Sequence, residues 1–316
     1  MKQQGVICIN KPAGWTSHDA VMAVRRRLGI KRVGHTGTLD PMATGVLPVA
    51  VGRATRMIEY YEADLKTYRA EMQLGTTTDT LDVTGTVLTQ APFDGVTEEA
   101  VRAALRGLCG EIEQIPPRYS AVKVNGRRLY EYARKGQTVE VKPRRAYIED
   151  IYDVEVDLAA GRVAFAVDCA KGTYVRTLCD DAGRALGCGA VMTSLVRTAS
   201  GPFTLAAAVT PEELSGMPEE DLDAHIVPVE DTLENLGEIA FRDAKWEQYY
   251  RNGRAVEETE YQITRAPNVP LWLNPDSLIA NTYKVLDENG EFLGTGHIEQ
   301  ETGALRPDKV MAERPE

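Results

Sequence analysis

No stretch of the 316 residues is long and apolar enough to read as a membrane span. The opening run MKQQGVICINKPAG also lacks the apolar core of a signal peptide. The four histidines are scattered, with neither HxH nor HExxH, so zinc-site spacing is missing and no metal is expected. Cys8, Cys109, Cys169, Cys179 and Cys188 are odd in number and contain no CxxC pair. This argues against a disulfide framework and for reduced thiols in a cytoplasmic chain. No internal repeat or low-complexity tract stands out. What is present is apolar material for a sizeable core, 43% of the chain, and a length that predicts two domains.

A net charge of −11 argues against nucleic acid until it is divided along the chain. Residues 211–316 hold nine Lys/Arg against twenty-four Asp/Glu, which leaves residues 1–210 at +4. Residues 1–60 have nine basic and three acidic side chains, and residues 116–145 nine basic and two acidic. Salt screens charges beyond about 8–10 Å, so such local surfaces bind phosphate inside an acidic protein. Solvated basic faces are the plainer alternative.

The pattern along the chain predicts a mixed α+β body. GVICINKP reads as a strand ending at Pro12. TSHDAVMAVRRRLGI reads as a helix, with Thr16 and Asp19 as a capping box, Val21, Val24 and Leu28 inward, and Gly29 as its stop. Arg25, Arg26 and Arg27 extend its exposed side toward Lys31 and Arg32. KTYRAEMQLG alternates as a strand, GTVL pairs with a neighbour, and TEEAVRAALRGLCG is a second amphipathic helix. RVAFAVDCA also alternates, KGTYVRTL follows across a Lys-Gly turn as its hairpin partner, and LCDDAGRALG is a helix. The regular βαβ alternation of a doubly wound sheet is absent. A proline-punctuated acidic shift over 210–235 marks a second domain, where YKVLDENGEFLGTGHIE reads as two strands about an Asn-Gly turn.

GHTGTLDPMATGVLP, residues 34–48, sets one carboxylate, Asp40, among bends. A Walker-type loop requires a lysine after its last glycine, and none is there. A magnesium-holding phosphotransfer site requires further acidic residues, yet Leu39 and Pro41 flank Asp40. A glycosidase uses two carboxylates, and no second lies close in sequence. A structural Asx turn at Asp-Pro and a lone catalytic carboxylate remain. On a strand, Tyr174 and Arg176 project from one face, where a ring stacks on a base and a guanidinium pairs with a carboxylate. Such an arginine keeps a shielded aspartate ionised against burial. Tyr68 is another aromatic beside a basic residue. For each tyrosine a core position with a satisfied hydroxyl is the alternative.

The runs KPAGWTSHD, GHTGTLDPMATGVLPVAVGRATR and KTYRAEMQLGTTTDTLDVTG resemble the bacterial tRNA pseudouridine synthase B family. IPPRYSAVKVNGRRLYEYARKG and CAKGTYVRTLCDDAGRALGCGAVMTSLVRT extend the likeness over residues 5–205. The resemblance implies a pseudouridine synthase fold, a mixed and largely antiparallel central sheet with flanking helices. Residues 1–232 would form the catalytic domain, with a basic RNA-clamping insertion at about 116–145, and residues 233–316 a small β-rich PUA-like domain. It implies isomerisation of uridine 55 in the T loop of tRNA by base flipping, without cofactor, metal or guide RNA. The expected enzyme is monomeric, cytoplasmic and without an obligatory protein partner. A catalytic subunit of a guide-RNA particle and a tRNA-folding chaperone are the rival readings.

By the same resemblance Asp40 is the catalytic carboxylate, and Arg176 its ion-pair partner. Tyr68 stacks on the uracil and helps the C5 proton leave. Tyr174 and Leu195 line the base pocket, and His35 fills the space vacated in the T loop. Lys11 supports the site structurally. Arg25, Arg26, Lys31, Arg32, Arg118, Lys123, Arg127 and Arg128 are expected on the RNA backbone. Asp79 and Asp82, in DTLD, lack the EF-hand pattern and are assigned to turn geometry.

Overall fold

The strand expected at the N-terminus forms over Gly5–Lys11 and is covered on both faces. Ile7 and Ile9 enter one apolar cluster, while Val6 and Cys8 enter another. Double coverage explains why this strand reads as a continuous apolar run and does not alternate. The computed structural model describes residues 4–274 and 276–311, which build two main sheets. The larger has ten strands. Its main path runs Ile226–Val227, Gly5–Lys11, Thr44–Val51, Ala190–Ser200, Lys66–Leu74, Arg162–Cys169, Arg144–Asp157 and Gly110–Gln114. Among the described strand pairs of this sheet only Thr44–Val51 beside Ala190–Ser200 is parallel, so the sheet is mixed and largely antiparallel, as expected.

Helices Ser17–Leu28, Glu98–Arg106 and Val175–Ala185 pack against the larger sheet. The first carries the capping box foreseen for it: Thr16 and Asp19 bond reciprocally, and Gly29 ends it in the left-handed region at φ 68°. Arg27 departs from expectation. Its guanidinium donates to the carbonyls of Leu214 and Met217, fastening this helix to Pro211–Gly216, so it does not extend an exposed basic face.

A second departure concerns KGTYVRTL. The hairpin partner of Arg162–Cys169 is the preceding strand, Arg144–Asp157. Tyr174 is the extended N-cap of the helix Val175–Ala185, and Arg176 lies in that helix's first turn. Their shared position therefore comes from a helix start, not from strand alternation. No side chain of the helix caps it; instead Gln114 donates to the Tyr174 carbonyl at 3.2 Å and accepts from its N–H at 2.9 Å. A tertiary contact replaces the local start signal.

Residues 237–310 form the five-stranded second sheet around Tyr250, Val285 and Leu305. The 3-10 segment Gly52–Ala63 joins the two sheets. Arg53 and Arg56 donate to the Met311 and Val310 carbonyls, both at 3.0 Å, and the Tyr60 and Thr295 hydroxyls lie 2.9 Å apart. All five cysteines are free. Among the described residues no helix is long and apolar enough to cross a membrane.

Candidate active site

The bent segment is held from three directions. Val33–His35 pairs with Thr44–Val51, and the Ala43 N–H bonds the Asp40 carbonyl at 3.1 Å, closing a turn with Pro41 at its second position. Ser17 clamps Leu39, accepting from its N–H at 2.8 Å and donating to its carbonyl at 3.1 Å. Lys11, fully buried, donates to the carbonyls of Trp15 (2.7 Å), Pro12 (3.0 Å) and Pro41 (3.3 Å). Gly45, at φ +101°, passes so close to Arg197 that a Cβ there would strike the Arg197 carbonyl oxygen. The turn at Asp-Pro is real, but it uses the Asp40 backbone carbonyl, and the carboxylate points elsewhere.

That carboxylate lies 2.9 Å from the Arg176 guanidinium. The Asp40 side chain is 36% exposed and that of Arg176 only 5%, so the acid is reachable and its counter-ion is not. Arg176 also donates to the carbonyls of Thr80 (3.1 Å) and Tyr119 (3.2 Å), and it meets Asp82 at 3.3 Å. One fork thus serves two carboxylates. Burial raises the Asp40 pKa; Arg176 and Lys11 pull against it while Asp82 adds to it, and the net direction is upward. The arginine moderates the rise without reversing it. Burial pushes the Lys11 ammonium down to about 8, with Asp40 opposing.

Asp40 opens onto a cleft of about 1030 Å³. Tyr68, Tyr174, Leu195, His35, Arg176 and Arg128 also line it, so the expected catalytic and base-binding residues converge. The His35 ring nitrogen Nδ1 is buried with no hydrogen-bond partner among the described residues, and burial lowers this histidine's pKa. Arg25, Arg26, Lys31, Arg32, Arg118, Lys123 and Arg127 do not line the cleft. Lys123 and Arg127 sit with Arg128 on a small hairpin, and Arg26, Lys31, Arg32 and Arg118 are exposed. Among the described residues no group of three His, Cys, Asp or Glu side chains is placed to hold a metal ion.

Asp82 is the main omission from the sequence reading. Assigned there to turn geometry, it does organise a turn, its Oδ1 accepting from Thr80, Thr84 and the Thr84 N–H. Its other oxygen is the one that meets Arg176. The spacing DTLDVTG gives no sign of a partner 94 residues away. Asp79 keeps the purely local role, accepting from the Thr86 N–H at 2.7 Å. Ser17 and Arg197 lie inside the family-like runs KPAGWTSHD and CAKGTYVRTLCDDAGRALGCGAVMTSLVRT, but nothing in those runs marks either as part of the site.

Residues 25–175 match the model of the TruB family pseudouridylate synthase (N terminal domain), and residues 176–234 that of the tRNA pseudouridylate synthase B C-terminal domain. The chain is 43% identical to the tRNA pseudouridine synthase B of Bacillus licheniformis, over 99% of both chains. It is 41% identical to that of Ralstonia nicotianae, over 97% of this chain and 94% of the other. Among solved structures, a Cbf5-Nop10-Gar1 complex contains a chain of similar fold, with a TM-score of 0.75 at 28% identity, covering 99% of this chain and 86% of that one.

Proposed function

The chain belongs to the TruB family of pseudouridylate synthases, and on that premise we propose that it converts uridine 55 in the T loop of tRNA to pseudouridine. It is an isomerase of tRNA uridine. The reaction breaks the N1–C1′ bond, turns the uracil and rejoins it through C5. It is redox-neutral and calls for no cofactor. The carrying observation is that the Asp40 carboxylate, free of the turn it stands in, faces a cleft while a buried arginine holds it.

Asp40 supplies the carboxylate that glycosidic cleavage requires, and Arg176 aims it. The target base, flipped from the T loop, lies against Tyr68 between Tyr174 and Leu195. Stacking returns about 1–3 kcal/mol toward an unstacking cost of a few kcal/mol. His35 takes the vacated place in the loop. Arg25, Arg26, Lys31, Arg32, Arg118, Lys123, Arg127 and Arg128 bind the T-arm backbone, with shape more than duplex sequence defining the target. Residues 1–232 are read as the catalytic domain and 233–316 as a PUA-like appendage, in a monomeric cytoplasmic enzyme with no obligatory protein partner.

The similarity to chains of Cbf5 complexes, one of them described as a box H/ACA sRNP complex, favours one rival, a catalytic subunit of a guide-RNA particle. The full-length likeness to bacterial tRNA enzymes, at 41–43% identity, favours the stand-alone reading. The test is tritium release from C5-labelled uridine in a bare T-arm transcript. Release without added protein or guide RNA is expected from the wild type. None is expected from Asp40→Asn, which should still bind the transcript. Undiminished release by that variant refutes the assignment, and binding without release by the wild type leaves a tRNA-folding chaperone.

A further inference from the structure

Arg197 is 1% exposed, and no ion pair engages it among the described residues. A guanidinium buried without a carboxylate is costly, so its donors should be doing something specific. They reach the bent segment on both sides of Asp40: Nε donates to the Val46 carbonyl at 2.6 Å and Nη2 to the Gly37 carbonyl at 3.3 Å. Arg197 is also the cross-strand partner of Tyr68, on Ala190–Ser200 against Lys66–Leu74, and both residues line the cleft. The guanidinium opposes the rise that burial imposes on the Tyr68 hydroxyl. Asp40 and Cys169 act on that hydroxyl too, both raising it.

We propose that Arg197 is a positioning residue for the isomerisation: one buried fork fixes the loop that carries Asp40 and the Tyr68 hydroxyl relative to each other. The inference rests on the isomerase reading above. Val46 and Gly37 lie on opposite flanks of Asp40, so bracing both requires donors that diverge from a rigid plane. A lysine ammonium keeps the charge and reaches one flank only. The close passage of Gly45 beneath the Arg197 backbone fits the same design, because it seats the loop on this strand.

The test compares Arg197→Lys and Arg197→Gln with wild type, alone and combined with Tyr68→Phe, using single-turnover tritium release, T-arm affinity and melting temperature. The expected result is a rate lowered about 30-fold or more with T-arm Kd within about 3-fold, a loss confined to the chemical step. The combined loss with Tyr68→Phe should fall about 10-fold or more short of the product of the single losses, because both act through one arrangement. Glutamine, which keeps a planar amide but no charge, provides a second route if the lysine variant melts too low to assay. Single variants within about 3-fold of wild type, or losses that multiply, overturn the proposal. So does a rate that falls only in step with RNA affinity and melting temperature. A wild type that releases no tritium removes the isomerase reading itself; an active wild type with unaffected Arg197 variants removes this inference alone.

Discussion

Replacing Arg176 by lysine keeps the positive charge and removes the fork, which isolates geometry from electrostatics. The guanidinium serves four acceptors: Asp40 at 2.9 Å, Thr80 at 3.1 Å, Tyr119 at 3.2 Å and Asp82 at 3.3 Å. An ammonium diverges from a single nitrogen on a shorter reach, so two of the four lose their donor. A charge-assisted hydrogen bond contributes about 1.5–3 kcal/mol, which puts the total loss at about 3–6 kcal/mol. If half of that falls on the aim of Asp40, single-turnover tritium release drops about 10- to 100-fold, at 1.36 kcal/mol per decade. The remainder appears as a melting temperature several degrees lower. T-arm affinity should stay within a few-fold, because Arg176 is buried under Asp40. A folded Arg176→Lys protein that releases tritium within about 3-fold of the wild-type rate would show that the fork is dispensable.

The pH profile tests the raised pKa of Asp40. The rate should begin to fall, on acidification, above the ordinary aspartate value of about 3.9, and Asp82→Asn should move that fall to lower pH because Asp82 adds to the rise. Stability has the opposite sign: the folded state holds the Asp40 proton more tightly, so this group's contribution improves as pH falls through its folded pKa. An acid limb that Asp82→Asn leaves in place contradicts the shared-arginine account. Gly45→Ala, at positive φ and against the Arg197 carbonyl, should cost about 2 kcal/mol or more in denaturant melts. Gly216→Ala, in open space, should change stability by about 0.5 kcal/mol or less. Neutralising Lys123, Arg127 and Arg128 together should flatten the plot of log K against log salt by about 0.7–0.9 for each phosphate contact removed. An unchanged slope removes that hairpin from the RNA interface.

Local chemistry made part of this molecule legible. The capping box at Thr16 and Asp19, the stop at Gly29 and the alternation of Lys66–Leu74 are each written within a dozen residues, and each formed where expected. Tyr174 and Arg176 misled because YVRT carries the β-branched alternation of a strand and lacks a Ser, Thr, Asp or Asn N-cap. The start of that helix is set by Gln114, 60 residues earlier. Asp82 and Arg197 were illegible for a related reason. Their partners lie 94 and about 150 residues away, and nothing near either residue in the sequence reports whom it meets in the fold. The residues around Arg176 suggested a guanidinium that pairs with a carboxylate, but its pairing with Asp40 came from family likeness, because spacing alone does not join positions so far apart in the chain.

The first strand has a consequence for synthesis. Among the described residues, one edge of Gly5–Lys11 is closed only by Val209, which bonds to Cys8 and Asn10, and by Ile226–Val227, and both are synthesised about 200 residues after the strand. At about 5–20 residues per second, that apolar edge waits roughly 10–40 s for its partner. A nascent chain stalled before residue 209 therefore holds a sticky template for any passing strand, while the chain that runs on through 227 seals it.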